Sequence, residues 1–163
     1  MNEIFNYTYW MSIALEEAQK AFEQDEIPVG AVLVKDNQLI LKNHNRTNSL
    51  KTPLAHAELL ILQEIQKNEK VLSGYTLYVT LEPCLMCSGA IILSKLSTLV
   101  YGTPDPKTGV VGSIYNVLAD KHFNHQPDIV TGVLQEECSE ILKRFFRGKR
   151  GGGKAEGGRD GRY

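Results

Sequence analysis

The sequence predicts an α/β domain with a mixed, roughly five-stranded sheet and helices on both faces. Two observations support this prediction. A helical apolar pattern over 7–24 is followed by strand patterns over 28–35 and 38–43, which Asp36-Asn37 joins as a hairpin. Helix and strand patterns then alternate along the rest of the chain. Such alternation is typical of layered α/β domains, in which ligand groups gather at one edge of the sheet.

The remaining elements follow from local patterns taken in chain order. Thr52 and Pro53 predict a helix start before the apolar run 59–65, with Thr52 near the cap. The alternation over 75–80 predicts a strand, and Pro83 then opens a helix that reaches about Leu93. Further strands are expected at 99–101 and 128–133, and a last helix at 135–149. The loop-rich stretch 103–116 is a candidate functional loop.

Length and composition indicate one domain of ordinary globular character. The chain has 163 residues and a net charge of -1, so one domain over 1–150 is expected. Residues 151–163 hold six glycines and no aliphatic side chain larger than alanine, which predicts a disordered tail. The chain shows no membrane-spanning apolar run and no signal-peptide pattern, and its three cysteines fit a reducing compartment. A cytoplasmic location is therefore predicted.

His56-Ala57-Glu58 and Pro83-Cys84-Leu85-Met86-Cys87 together predict a catalytic metal centre. His56, Cys84 and Cys87 supply three zinc ligands, and a catalytic zinc leaves its fourth position to water. Cys84 and Cys87 stand three residues apart near a helix start, which places both sulfurs on one face and favours thiolate. Glu58 points in a different direction from His56 and is predicted to move protons rather than to bind metal.

Simpler interpretations exist for the same residues. Cys-x-x-Cys alone is also found as a redox pair or as two buried small residues. A structural zinc site would close with a fourth ligand, for which Cys138, His44, His122 and His125 are the candidates. Cys138 lies on the apolar stripe of the last helix and is predicted to be core.

A basic segment closes the predicted domain. Two aromatic and five basic residues fall within 143–150: Lys143, Arg144, Phe145, Phe146, Arg147, Lys149 and Arg150. Such a segment could stack on unpaired bases and contact phosphates. Taken alone, the pattern favours a helix with core phenylalanines and solvated cations, because Phe145 continues the stripe of Cys138, Ile141 and Leu142.

The motifs resemble those of bacterial tRNA-specific adenosine deaminases, in the cytidine deaminase-like superfamily. His-x-Glu paired with Pro-Cys-x-x-Cys is a known signature of zinc nucleobase deaminases. The resemblance runs from about Tyr9 to Arg150, through Ile27-Pro28-Val29-Gly30, Asn43-His44-Asn45-Arg46 and Thr80-Leu81-Glu82-Pro83-Cys84. The stretch 101–116 is similar to the family's substrate loop, and Phe145-Phe146-Arg147 is similar to its RNA-contacting helix.

The resemblance implies a three-layer α/β/α fold, one zinc per chain and a homodimer that acts on a tRNA anticodon stem-loop. The expected product is inosine at the wobble adenosine, with an arginine tRNA of anticodon ACG as the expected substrate. The resemblance also implies that Glu58 is the general acid/base. For the basic segment it favours contact with RNA over the simpler interpretation of core phenylalanines and solvated cations. The implied substrate contacts are Val29, Asn45, Ala57, Asp105 and Lys107, and the implied RNA contacts are Phe145, Phe146, Arg147, Lys149 and Arg150.

Two rival functions use the same residues. A deaminase of free nucleobases or nucleotides (guanine, cytosine or deoxycytidylate) would share the zinc centre but would not need the Phe-Phe-Arg segment. A non-catalytic, zinc-stabilised RNA-binding subunit would gain nothing from Glu58.

Overall fold

Five strands form one mixed sheet in the computed structural model, which describes residues 3–151 and the side chains of 6–149. The strands are β1 (Gly30–Lys35), β2 (Gln38–His44), β3 (Tyr75–Leu81), β4 (Thr98–Thr103) and β5 (Asp128–Thr131). Their order is β2-β1-β3-β4-β5. β1 is antiparallel to both of its neighbours, whereas β3, β4 and β5 run parallel. The predicted mixed sheet is confirmed.

Two helical layers cover the sheet. The helices are α1 (Glu3–Glu23), α2 (Ala57–Ile65), α3 (Leu85–Ser94) and α4 (Gln135–Gly151), with a short 3-10 helix at Val117–Ala119. Successive strand residues face opposite sides, and the core divides accordingly. Val32 packs with Met11 of α1 and with Cys138 of α4, whereas Leu33 packs with Ile61 of α2 and Ile91 of α3. The three-layer α/β/α architecture is therefore confirmed.

Two glycines allow the α1–α4 layer to lie close to the sheet. A Cβ at Gly30 would stand 2.0 Å from the Ala14 carbonyl oxygen of α1, and one at Gly102 would stand 2.4 Å from Cys138 Sγ. Cys138 itself is fully buried, and burial raises the pKa of its thiol to about 12. The prediction that Cys138 is a core residue is confirmed.

Two predicted helix starts are wrong by a few residues. α2 begins at Ala57 with His56 as its N-cap, not near Thr52. The Thr52 hydroxyl instead accepts a hydrogen bond from Leu54 N at 3.2 Å, a local turn that competes with helix formation. α3 begins at Leu85 with Cys84 as N-cap, so Pro83 precedes the helix rather than lying in its first turn.

The C-terminal end of the described chain differs slightly from the predicted boundary. α4 continues to Gly151, two residues beyond the predicted end. Residues 152–163 of the predicted tail lie outside the described residues, as does the side chain of Arg150. No helix within residues 3–151 is long and apolar enough to cross a membrane.

Candidate active site

Three side chains from two segments meet as a candidate metal centre. His56 Nδ1 lies 3.5 Å from Cys84 Sγ and 3.7 Å from Cys87 Sγ. The three potential ligand atoms all lie within 4.8 Å of one another. The structure therefore brings together the three predicted ligands at distances that one metal ion can bridge.

The two segments bring helix N-termini to the same place. His56 is the N-cap of α2, while Cys84 is the N-cap of α3 and Cys87 is the third residue of that helix. α3 follows β3 by three residues, so the centre lies at the carboxyl end of the parallel strands, the usual ligand edge of such sheets. The partial positive charge of a helix start stabilises thiolate, the form of cysteine that binds metal.

No fourth protein ligand joins this cluster among residues 6–149. Cys138 is in the opposite core layer. His44 Nε2 lies 3.0 Å from Gln24 Oε1. The ring of His122 bonds Asp120, and that of His125 bonds the Leu96 carbonyl oxygen. Three ligands and an open position are the arrangement of a catalytic metal site, whereas a structural site is closed by four.

Glu58 is a buried carboxylate in the first turn of α2. It is 0% exposed and stands two residues after His56, yet the metal-ligating group does not include it. A carboxylate held in this position without being a ligand is suited to proton transfer.

Asn45, Val29 and Ala57 are all fully buried. Asn45 follows β2, and its backbone N–H donates to the Val29 carbonyl oxygen at 2.9 Å. The side chain of Asn45 is 0% exposed, and neither its Nδ2 nor its Oδ1 has a hydrogen-bond partner among the described residues. Buried amides are normally hydrogen-bonded, so this one has a donor and an acceptor available for a bound molecule.

The loop after β4 folds around its own acidic residue. Asp105 Oδ1 accepts hydrogen bonds from the backbone N–H groups of Lys107, at 3.0 Å, and Thr108, at 3.2 Å. Asp105 Oδ2 accepts from Thr108 Oγ1 at 2.7 Å. Asp105 is thus buried and engaged within the loop, while Lys107 is exposed. Direct contact of both residues with a substrate stays a prediction.

The end of α4 combines a core ring with surface cations. Phe145 is 8% exposed, and its ring centroid lies 5.8 Å from that of Phe22 on α1. Arg147 pairs with Glu140 at 2.6 Å, and Lys149 pairs with Asp25. Phe145 therefore anchors the helix to α1 in this structure. The accessible part of the basic segment consists of the charged side chains and the half-buried ring of Phe146.

Two buried glutamates have structural partners that the sequence did not predict. Glu26 follows α1 and accepts hydrogen bonds from the backbone N–H groups of Asn48, at 2.7 Å, and Ser49, at 3.2 Å. Glu82 follows β3 and binds the loop after β4. The available signal was only that each glutamate adjoins an apolar stretch, and a glutamate is almost never fully buried unless it is paired.

Comparison with known proteins finds deaminases. The family model of the MafB19-like deaminases matches residues 5–150. A tRNA-specific adenosine deaminase of Bacillus subtilis (strain 168) is 46% identical over 140 residues, which cover 85% of this chain and 87% of that protein. A solved structure from a study of A-to-I editing by tRNA:A34 deaminases at the wobble position has a TM-score of 0.79 and 42% identity, over 83% of this chain and 99% of that chain.

A guanine deaminase from Nitrosomonas europaea is also similar in structure, with a TM-score of 0.69. Its identity is 22%, over 85% of this chain and 83% of that chain. This similarity shows a shared fold alone, since one fold supports many substrates.

Proposed function

The chain belongs to the tRNA-specific adenosine deaminases, and we propose that it converts the wobble adenosine of a tRNA to inosine by hydrolysis. The observation that carries the proposal is the His56-Cys84-Cys87 cluster with the buried, non-ligating Glu58 beside it. The tRNA substrate is supported by relatives of 46% and 42% identity. The guanine deaminase, at 22% identity, adds no comparable support for a free base.

We propose that the cluster holds one zinc ion per chain. In a tetrahedral site with Zn–N near 2.0 Å and Zn–S near 2.3 Å, nitrogen and sulfur stand about 3.5 Å apart. The distances of 3.5 and 3.7 Å between His56 Nδ1 and the two sulfurs fit that value. When bound, zinc would lower the pKa of a water and so supply a nucleophile near neutral pH.

The proton transfers are assigned to Glu58. Its carboxylate takes the two protons of the attacking water one after the other, and passes the first to the ring nitrogen and the second to the departing amine. One carbon–oxygen bond forms, one carbon–nitrogen bond breaks, and ammonia leaves, so adenosine and water become inosine and ammonia. Glu58 ends the cycle ionised, as it began.

Binding of the base is assigned to Asn45, with Val29 and the first turn of α2 around it. The Asn45 amide has both polar atoms available, and Ala57 N–H belongs to a first helical turn, whose N–H groups lack acceptors within the helix. The target base must leave the stack to reach these groups, which costs less in an anticodon loop than in a duplex.

RNA binding is assigned to two regions. One is the loop after β4, where Lys107 is exposed and the buried Asp105 holds the backbone in place. The other is the end of α4. Exposed ion pairs contribute little stability, so Arg147 and Lys149 can exchange their carboxylate partners for phosphates. Phe146 and Arg150 are predicted to add contacts. Phe145, predicted as a direct contact, would act here by fixing α4 on α1.

A homodimer is proposed on the outer face of α2 and α3. Leu85 is 66% exposed and Leu93 is 83% exposed. Leu93 also borders a groove whose further lining includes Leu59, Leu62 and Ala90. Burial of such apolar surface against a second copy would be favourable. A tRNA substrate also agrees with the cytoplasmic location that the sequence predicts.

An inosine assay tests the proposed function. The enzyme is incubated with an anticodon stem-loop carrying ACG and, separately, with guanine, cytosine and adenosine. Inosine is expected at the wobble position of the stem-loop, and Glu58→Gln serves as the inactive control that retains metal. Efficient deamination of guanine or cytosine with none on the RNA would refute the tRNA substrate and leave the deaminase chemistry in place.

A further inference from the structure

Glu82 is a buried carboxylate between the metal centre and the loop after β4. It follows β3 directly and precedes Pro83 and the predicted metal ligand Cys84. The residue is 1% exposed. No lysine, arginine or histidine among residues 6–149 forms an ion pair with it, although ion pairs exist elsewhere on the domain. Something other than a cation must stabilise this group, because an isolated buried charge is costly.

Hydrogen bonds from one short segment provide that stabilisation. Glu82 Oε1 accepts from Asp105 N–H at 3.0 Å and from the Ser113 hydroxyl. Glu82 Oε2 accepts from Val111 N–H at 2.9 Å and Ser113 N–H at 3.1 Å. The segment 105–113 therefore wraps around both carboxylate oxygens, and hydrogen bonds to an ionised acceptor are stronger than neutral ones.

Further contacts fix the same segment to the same place. Val110 N–H donates to the Pro83 carbonyl oxygen at 3.1 Å, and the Tyr101 hydroxyl donates to the Val111 carbonyl oxygen at 3.0 Å. A Cβ at Gly109 would stand 2.4 Å from Glu82 Cδ, so only glycine allows the backbone to approach this closely. Burial, with a smaller contribution from the charge of Glu82, raises the pKa of Tyr101 and keeps its hydroxyl a donor.

We propose that Glu82 is a positioning residue of the deamination reaction, whose carboxylate holds segment 105–113 against the Pro83–Cys87 segment so that the loop is ordered before RNA binds. Opening the segment would break four hydrogen bonds to an ionised acceptor, so the closed arrangement is favoured. A loop ordered in advance does not lose conformational entropy on binding, which improves affinity. The inference rests on the proposed function, because it takes the loop that carries the exposed Lys107 to lie at the RNA surface.

The variants Glu82→Gln and Ser113→Ala test this role, the first by changing the acceptor and the second by removing one of its donors. In Glu82→Gln one oxygen becomes an NH2 donor that faces the N–H of Asp105, so that amide loses its acceptor. Ser113→Ala removes the hydroxyl donor and leaves Glu82 and its backbone partners intact. Leu72→Ala is the matched control, because Leu72 is fully buried just before β3, at the opposite end of that strand from Glu82.

Three measurements are made on each zinc-loaded variant: metal content, amide hydrogen exchange, and kcat and KM on the anticodon stem-loop. Glu82→Gln is expected to keep its metal, to speed exchange at Asp105 at least tenfold, and to raise KM about tenfold with kcat within threefold of wild type. Ser113→Ala is expected to raise KM two- to threefold. Leu72→Ala is expected to lower Tm while leaving KM and exchange at Asp105 unchanged.

The alternatives give different patterns. Unchanged KM and unchanged exchange in Glu82→Gln would overturn the inference, as would an equal rise of KM in Leu72→Ala, which would indicate a general loss of stability. If Glu82→Gln loses metal, Ser113→Ala decides, and an unchanged KM in that variant overturns the inference. A wild-type enzyme that leaves the stem-loop unmodified refutes the proposed function itself, whereas an active wild type with unaffected variants refutes the role of Glu82 alone.

Discussion

Replacement of Asn45 by leucine is expected to stabilise the protein and to impair catalysis. The two side chains are similar in size, but leucine has no polar atoms. In the structure Asn45 is fully buried, and neither polar atom of its side chain has a hydrogen-bond partner among the described residues. A group that destabilises the fold in this way is expected to be retained for binding.

The magnitude follows from the cost of the unpaired amide. A buried polar group without a partner lowers the free energy of unfolding by about 1–3 kcal/mol, so its removal should stabilise the protein by that amount. The change of shape from Asn to Leu is expected to destabilise it by up to about 1.5 kcal/mol. A net gain of about 1 kcal/mol would raise Tm by about 2–4 °C for a protein of this size. Two lost hydrogen bonds to the base, together with a base edge left unpaired, amount to about 3 kcal/mol, or about a hundredfold in kcat/KM.

Thermal unfolding of each preparation tests the expected gain in stability, and stem-loop deamination by the same preparation tests the expected loss of kcat/KM. Asn48→Leu is the matched control, since Asn48 is exposed and its side-chain Nδ2 donates to the Asp25 carbonyl oxygen at 3.1 Å. That control loses a satisfied hydrogen bond, so its Tm should fall slightly while kcat/KM changes little. An Asn45→Leu protein that melts below wild type would show that the amide is satisfied without substrate, and unchanged kcat/KM would refute its contact with the base.

Three further predictions concern the metal centre, the basic helix and a buried histidine. Cys84→Ser should lose zinc, whereas Glu58→Gln should keep about one zinc per chain and lose about 10²–10⁴-fold in turnover. Metal analysis and a rate assay on each variant check both expectations. A fully active Glu58→Gln enzyme would refute the proton-transfer role. Arg147→Ala with Lys149→Ala should weaken stem-loop binding and flatten its dependence on salt, while truncation after residue 151 should leave both nearly unchanged; greater damage from the truncation would contradict this. Burial lowers the pKa of His44, against the opposing effect of Glu17, so the unfolded chain takes up the proton first and stability should fall as pH drops below about 6.5. Tm measured from pH 7.5 to 5.5 should therefore fall more steeply in wild type than in His44→Gln, and parallel slopes would exclude His44 as the cause.

Features that depend on local spacing could be predicted from the sequence alone. Cys84 and Cys87 stand three residues apart at a helix start, and this spacing brings the two sulfur atoms to the same side of the helix. The apolar stripe of α4 likewise identified Cys138 as core before any contact was known. Alternating helix and strand patterns were sufficient for the layered mixed sheet, because each pattern reports which face of its element must be buried.

Features that depend on residues far apart in the chain could be seen only in the folded structure. The helix α2 was predicted to start near Thr52 but starts at Ala57, because a turn that includes the Thr52–Leu54 hydrogen bond competes with the helix. The burial of the Asn45 amide and the partners of Glu82, which lie 23 to 31 residues further along the chain, have no counterpart in local sequence pattern. Periodicity shows which residues leave water, whereas the identity of the group that meets each buried polar atom is set by how strands and loops pack together.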